Sequence, residues 1–377
     1  MTETTGSTDR STPHPHHPTR PAASTQPTPP RPSTRWSRRR IVIAALTVTA
    51  VVAGAAVIAL RAPSPVGHWD GAEGFDRYLA AYEEAFEDLP DPDEVLDLRT
   101  DYGLVRVYRF TSTREDGSEH DSTTEHDGAT EHDTSPAPVD PLVLLPGRSS
   151  GAPVWADNMP SLRDIGDVYA IDLLGEPGLS VQSRPIESDA DQAAWLDQTL
   201  AQLPEDRFHL VGLSIGGWTA ANLATHTTQH VAGLTLLDAP LVFDDLPLGT
   251  VLRTIPIAFP WAPRAWRDSF NSYTAGGATV EDVPVARMIE AGTQHYRLRL
   301  PAPARIDEER LAGIDVPLLA LIAGRSVMHD PAVAADTATR VLGAEQVHVY
   351  DDASHAINGE YPQEIAADIE AFARSLH

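Results

Sequence analysis

The stretch Gly212-Leu213-Ser214-Ile215-Gly216 directly follows the apolar run Phe208-His209-Leu210-Val211 and leads into the alanine-rich segment Thr219 to Ala224. A buried strand that ends in small residues and turns at once into a helix is the setting in which a G-x-S-x-G pattern acquires chemical meaning. A serine on so sharp a turn has strained backbone angles, and side chains at 212 and 216 would collide with the strand and helix being joined. The turn lifts the Ser214 hydroxyl clear of the sheet, and the backbone N–H of Ile215 points to the same spot. One turn therefore offers a nucleophile and half of an oxyanion site.

The elements needed to position that serine are legible around it. Pro141 to Leu145, Val168 to Leu174, Phe208 to Leu213, Val231 to Leu237, Pro317 to Ala323 and Val347 to Tyr350 read as apolar strands. Helical signal fills Asp189 to Leu203, the segment from Ser214 to Ala224, Pro331 to Leu342 and Pro362 to Leu376, and Gly343 is placed to end the third of these. A further amphipathic helix is expected over 72–87, from Phe75, Leu79, Tyr82 and Phe86, followed by a strand pair at Val95 to Arg99 and Leu104 to Phe110. Apolar strands alternating with helices predict an α/β fold, a mostly parallel sheet covered on both faces. Reactive groups in such a sheet gather beyond the carboxyl ends of the strands. Ser214, the Gly147 turn, Asp238, the segment after Ala323 and His355 all fall at such ends.

These residues together resemble the α/β-hydrolase family over about 140–377. Leu145-Pro146-Gly147-Arg148 is similar to the family's His-Gly turn, with proline in place of the histidine, so only a backbone role carries over, to the N–H of Arg148 or of Ser149. Asp172 through Gly175 and Gly178 to Ser180 loosely matches the D-x-x-G-x-G-x-S loop, with one extra residue between the glycines. Ser214 matches the nucleophile, and His355 in Ala353-Ser354-His355-Ala356 matches the general base. For the acid, the loop after Ala323 reads Gly324-Arg325-Ser326-Val327-Met328-His329-Asp330-Pro331, with Val327 where the family commonly has its carboxylate. Asp330 is the expected acid, and Asp238 is the alternative. Asp330 also suits the N-cap of the helix opened by Pro331. The resemblance further implies a helical cap inserted at 240–316, rich in Phe259, Trp261, Trp266, Phe270, Tyr273 and Tyr296. It implies hydrolysis of an ester or related acyl bond in a small-molecule substrate, with no metal or organic cofactor. Two other readings stand beside it: a non-catalytic binding protein of this fold, and a cofactor-free peroxidase or carbon–carbon bond hydrolase using the same residues.

The rest of the chain narrows the setting. It has 377 residues, no cysteine and a formal charge of −26. Thiol catalysis and disulfides are excluded, and so strong an acidic balance argues against nucleic acid as partner. Residues 1–61 hold eight arginines against Glu3 and Asp9, so a basic leader precedes an acidic body. Residues 1–37, rich in Ser, Thr, Pro and His, are expected to be a disordered cytoplasmic tail. Arg38-Arg39-Arg40 then precedes residues 41–60, which contain no charge. Twenty residues of helix span roughly 30 Å, the hydrocarbon thickness of a bilayer. The flanking arginines predict a single-pass helix in the cell membrane with the hydrolase domain, 62–377, outside. The competing reading is a cleaved twin-arginine-like export signal ending near Ala53-Gly54-Ala55. Glu-His-Asp recurs at 119–121, 125–127 and 131–133 within 113–139. With no apolar residue to hold ligands in place, that segment reads as a disordered polar loop and not as a metal site.

Overall fold

A computed structural model describes residues 64–114, 139–257, 262–279 and 282–377. The tail 1–37, the apolar run 41–60, the Glu-His-Asp repeats, Phe259 and Trp261 lie outside the described residues. Among the described residues no helix is long and apolar enough to cross a membrane.

The strands are β1 (His68–Trp69), β2 (Glu94–Thr100), β3 (Gly103–Phe110), β4 (Leu142–Leu145), β5 (Val168–Ile171), β6 (Val181–Gln182), β7 (Phe208–Leu213), β8 (Val231–Leu237), β9 (Tyr296–Arg297), β10 (Leu318–Ala323) and β11 (Val347–Tyr350). The helices are α1 (Ala72–Phe86), α2 (Met159–Arg163), α3 (Asp189–Leu200), α4 (Ile215–Ala224), α5 (Leu248–Ile257), α6 (Arg264–Thr274), α7 (Pro284–His295), α8 (Glu308–Ala312), α9 (Pro331–Leu342), α10 (Ile357–Glu360) and α11 (Pro362–Arg374). Nine strands form one sheet in the order β11-β10-β8-β7-β4-β5-β3-β2, with β6 beside β3. From β11 to β5 every neighbour is parallel, whereas β2, β3 and β6 add antiparallel pairs at the other end. The sheet is therefore mixed. Its parallel part carries the continuous apolar runs that burial on both faces demands.

The period of two along each strand sorts side chains between two cores. Val143 and Leu145 of β4 and Leu318, Ala320 and Ile322 of β10 face one side, with Trp195 and Leu196 of α3, Leu223 of α4 and Ala334 of α9. Leu142, Leu144, Leu319 and Leu321 face the other, against Tyr78 and Tyr82 of α1, Met159 and Leu162 of α2 and Ile369 of α11. The helix starts follow local chemistry. Ser188 accepts from the N–H of Asp191 while the Asp191 carboxylate accepts from the N–H of Ser188, a reciprocal cap that opens α3.

Asp172, at the end of β5, is buried and knots several segments together. Its carboxylate accepts from the N–H of Ala152 at 2.8 Å, the N–H of Leu179 at 2.7 Å and the hydroxyl of Tyr82 at 3.1 Å. Burial pushes its carboxyl above the usual range, partly opposed by those donors.

Between β8 and β10 the chain forms the cap, helices α5 to α8 with the short strand β9. Helix α5 turns Thr250 inward, where its hydroxyl donates to the Val327 carbonyl, and exposes Leu248, Val251, Leu252 and Ile255. Strand β9 pairs with β1 in a separate two-stranded sheet.

Candidate active site

The sheet brings four loops to one edge, the carboxyl ends of β4, β7, β8 and β10, with the loop after β11 closing over them. Four non-glycine residues in these loops have positive φ: Ser149 at 57°, Ser214 at 53°, Asp238 at 46° and Leu241 at 61°. Such backbone is strained, and its concentration at one edge is a mark of a functional site. At the Ser214 turn the flanking glycines are steric requirements. A Cβ at Gly216 would lie 2.1 Å from the carbonyl oxygen of Leu145, and one at Gly212 would lie 2.5 Å from backbone atoms of Gly216 and Gly217. Bare backbone is what lets the start of α4 press against the end of β4.

Ser214 donates its own N–H to the carbonyl of Leu237 at 2.9 Å, which fixes the turn against β8. Its Oγ lies 2.9 Å from Nε2 of His355, and Nδ1 of His355 lies 2.6 Å from Oδ2 of Asp238. Because Nδ1 faces a carboxylate it carries the proton. Nε2 is then bare and accepts from the serine hydroxyl. The loop bearing His355 is braced on both sides. The N–H and hydroxyl of Ser354 donate to Glu360 at 2.7 and 2.6 Å, and the N–H of His355 donates to the carbonyl of Thr274 in the cap at 3.2 Å.

Asp238 is buried and well supplied with donors. Oδ2 accepts from Nδ1–H of His355 and from the Ser326 hydroxyl at 2.7 Å, and Oδ1 accepts from the N–H of Ala323 at 3.1 Å. Nε2 of His329 lies 3.0 Å from Oδ1, close but off the axis of a straight hydrogen bond. Burial alone would raise this carboxyl. The two imidazoles overcome that penalty and hold it well below the usual carboxylate range.

The structure thus sets Asp238, and not the expected Asp330, against His355. Asp330 is exposed at the start of α9, where its carboxylate accepts from the N–H groups of Ala332 at 3.0 Å and Val333 at 3.3 Å. A proline at the first helical position leaves those next amides as the ones needing a cap, and an aspartate at the N-cap satisfies them. Ser326 and His329, which sequence reading left without a role, both reach Asp238. The available signal was their place in the loop where the resemblance calls for a carboxylate.

The backbone N–H groups expected to face an oxyanion can be sorted by their other engagements. As the first residue of α4, Ile215 has an N–H with no helix carbonyl to bond. The N–H of Ser149 is committed to Glu176 at 3.2 Å, while that of Arg148 has no acceptor among the described residues. Of the two, Arg148 is the one left free for an oxyanion. Beside these groups lies a cavity of about 10 Å³ lined by Ile215, Trp218, Leu173, Leu300, Arg148 and Glu176. That is room for roughly one water molecule. No group of residues with metal-ligating potential occurs among the described residues.

Comparison with known proteins agrees with the geometry. The model of the alpha/beta hydrolase family matches residues 142–368, and the chain belongs to that family. The carboxylesterase YbfK of Bacillus subtilis is 22% identical over 250 residues, which is 63% of this chain and 82% of that protein. N-formylmaleamate deformylase of Pseudomonas putida is 28% identical over 235 residues, 57% of this chain and 82% of that protein. The crystal structure of naproxen esterase from Bacillus subtilis superposes with a TM-score of 0.67 at 20% identity, over 80% of this chain and 99% of that one. The protein is a hydrolase of this family.

Proposed function

We propose that this hydrolase cleaves a carboxylic ester of a small molecule by nucleophilic catalysis. Ser214 is the nucleophile, His355 the general base and acid, and Asp238 the carboxylate that orients and stabilises the imidazole. The observation that carries the reading is the unbroken relay from Ser214 Oγ through His355 to Asp238, with contacts of 2.9 and 2.6 Å. The carboxylesterase relatives support an ester as the bond cleaved. In the forward step Nε2 of His355 takes the serine proton as Oγ bonds to the carbonyl carbon. The oxyanion lies against the N–H groups of Ile215 and Arg148. Collapse breaks the bond to the alkoxide, which leaves with the proton from Nε2–H. Water then repeats the sequence on the acyl-serine, losing a proton to Nε2 and releasing the acid. Asp238 remains ionised throughout.

A fluorophosphonate serine probe and a series of p-nitrophenyl esters of increasing acyl length test the reading. Wild-type protein labels and hydrolyses at least the shorter esters. Ser214→Ala abolishes both while the thermal melt is kept. A folded wild-type protein that takes up no probe would return the chain to the binding-protein reading.

The finer setting is part of the same proposal. Residues 41–60 anchor the chain in the cell membrane, with Arg38 to Arg40 inside and the hydrolase domain outside. Protease added to intact cells then releases the body. Protection of the body sinks the topology, and a mature N-terminus near Ala56 identifies a cleaved signal instead.

A further inference from the structure

Asp238 serves two histidines, and only one of them faces the nucleophile. His329 approaches from the β10 loop, is 2% exposed, and puts Nε2 3.0 Å from Oδ1, the oxygen not used by His355. Both ring nitrogens are buried and neither makes a straight hydrogen bond among the described residues, but Nε2 faces Oδ1 at close range whereas Nδ1 faces no charged group. This arrangement fixes the tautomer. A proton on Nε2 faces a carboxylate, whereas a proton on Nδ1 would be a buried donor with nothing to accept it. The other ionisable groups of the adjoining segments are engaged elsewhere. Asp330 caps α9, Asp244 accepts the N–H of Asp330, and Arg325 donates to the carbonyl of Gly276. Asp238, already bonded to His355, is the charged group that faces His329.

We infer that His329 is a positioning residue for the Ser214–His355–Asp238 relay, acting as a second imidazole packed against Oδ1 of Asp238 so that Oδ2 stays directed at His355. This inference rests on the catalytic reading of those three residues. A carboxylate held at both oxygens keeps its plane. Without His329, Oδ1 keeps only the Ala323 N–H at 3.1 Å while Oδ2 keeps the Ser326 hydroxyl and His355, so the carboxylate gains room to tilt on its Oδ1 side and the His355 ring shifts with it. Withdrawing a donor from Oδ1 also concentrates negative charge on Oδ2, which strengthens its hold on a protonated His355.

The test replaces His329 in the full-length chain by Leu, which removes the polar nitrogens, and by Gln, which returns one N–H. With a p-nitrophenyl ester, His329→Leu is expected to lower kcat on the order of tenfold or more, since small misplacements of a catalytic group cost at least that much. KM stays near the wild-type value. The acid limb of kcat/KM moves to higher pH, and His329→Gln recovers most of both changes. Because His329 acts through Asp238, adding His329→Leu to Asp238→Asn costs little further, a non-additivity that a cycle measures. A readout independent of turnover is the far-downfield proton resonance of the His355 Nδ1–H bonded to Asp238. It shifts in His329→Leu and returns toward its place in His329→Gln. If the resonance and the acid limb both stay put in a folded His329→Leu protein, His329 only fills space and the inference is overturned. Should that variant fail to fold, an unshifted resonance in His329→Gln together with additive losses in the cycle overturns it equally. If the wild-type protein hydrolyses no ester, the catalytic reading fails on its own, and the resonance still decides whether His329 holds Asp238.

Discussion

Asp238 and Asp330 stand beyond neighbouring strands, β8 and β10, and both accept backbone N–H bonds. There the likeness ends. Asp238 is fully enclosed, has strained backbone at φ 46°, and points its remaining valence at His355. Asp330 sits in ordinary extended backbone at φ −79°, open to water, and spends its carboxylate on the first turn of α9. One aspartate is held where an unsupported charge could not survive, and the other is where any capping residue would serve. Burial combined with strain separates a carboxylate that works on its neighbour from one that closes a helix.

The sharpest way to break that contrast is Asp238→Asn. The amide keeps the shape but stabilises the wrong His355 tautomer, and in serine proteases with the same relay such a change costs about ten-thousandfold in turnover. A loss of about a thousandfold or more in kcat is expected, measured on a p-nitrophenyl ester. If activity survives Asp238→Asn and falls with Asp330→Asn, the assignment of the two carboxylates is reversed.

A second prediction uses acid to probe burial itself. Both Asp238 and His209 titrate lower in the folded chain than when unfolded. For Asp238 the two imidazoles outweigh burial, and for His209, whose Nε2 lies 2.8 Å from the Thr235 hydroxyl, burial alone lowers the value to about 3. A group with a depressed folded pKa contributes its full stability above the unfolded value and loses it as pH falls toward the folded one. His209 therefore destabilises the fold progressively from about pH 6.5 downward, where the unfolded histidine takes up a proton and the folded one does not. Asp238 adds its loss from the ordinary carboxylate range downward. In thermal melts from pH 7 to 4, His209→Gln should show a flatter decline than wild type. Parallel curves would show that His209 is not the group responsible.

The smallest effect is expected from the exposed aspartate. Asp330→Ala should cost about 1 kcal/mol of stability, the usual worth of an N-cap, and leave turnover unchanged. A tenfold fall in kcat without a change in Tm would give Asp330 a part in catalysis that its contacts do not suggest.

Much of this was readable from sequence because the signals were local. Phe208–Leu213, Val231–Leu237, Val347–Tyr350 and Pro331–Leu342 begin and end where apolar runs, glycines and a proline-led start place them. Ser214 was legible because the requirement for glycine at 212 and 216 is written in adjacent residues. The acid was not. Which of two strand-end aspartates turns inward depends on φ and on donors from three separate loops, and residue type reports neither. His329 was hidden for the same reason, since its partner lies 91 positions away in the chain (329 less 238). The two-residue strands β1 and β9 carry no periodicity to detect, and their pairing comes from tertiary packing.

That last pairing has a mechanical consequence. Strand β1 grips β9, Asp70 donates its N–H to the His295 carbonyl at 2.8 Å, and Arg297 forms an ion pair with Asp70. Trp69 is wedged among Phe75, Tyr78 and Tyr296, with ring centroids 4.7 to 5.4 Å apart. Helix α7 of the cap is thereby bolted to the N-terminal end of the body. Helix α5 is fastened from within by Thr250 and presents a row of large apolar side chains to solvent. The cap is a pair of leaves with one leaf riveted. Tension applied at the N-terminal end would load the β1–β9 seam before any strand of the main sheet.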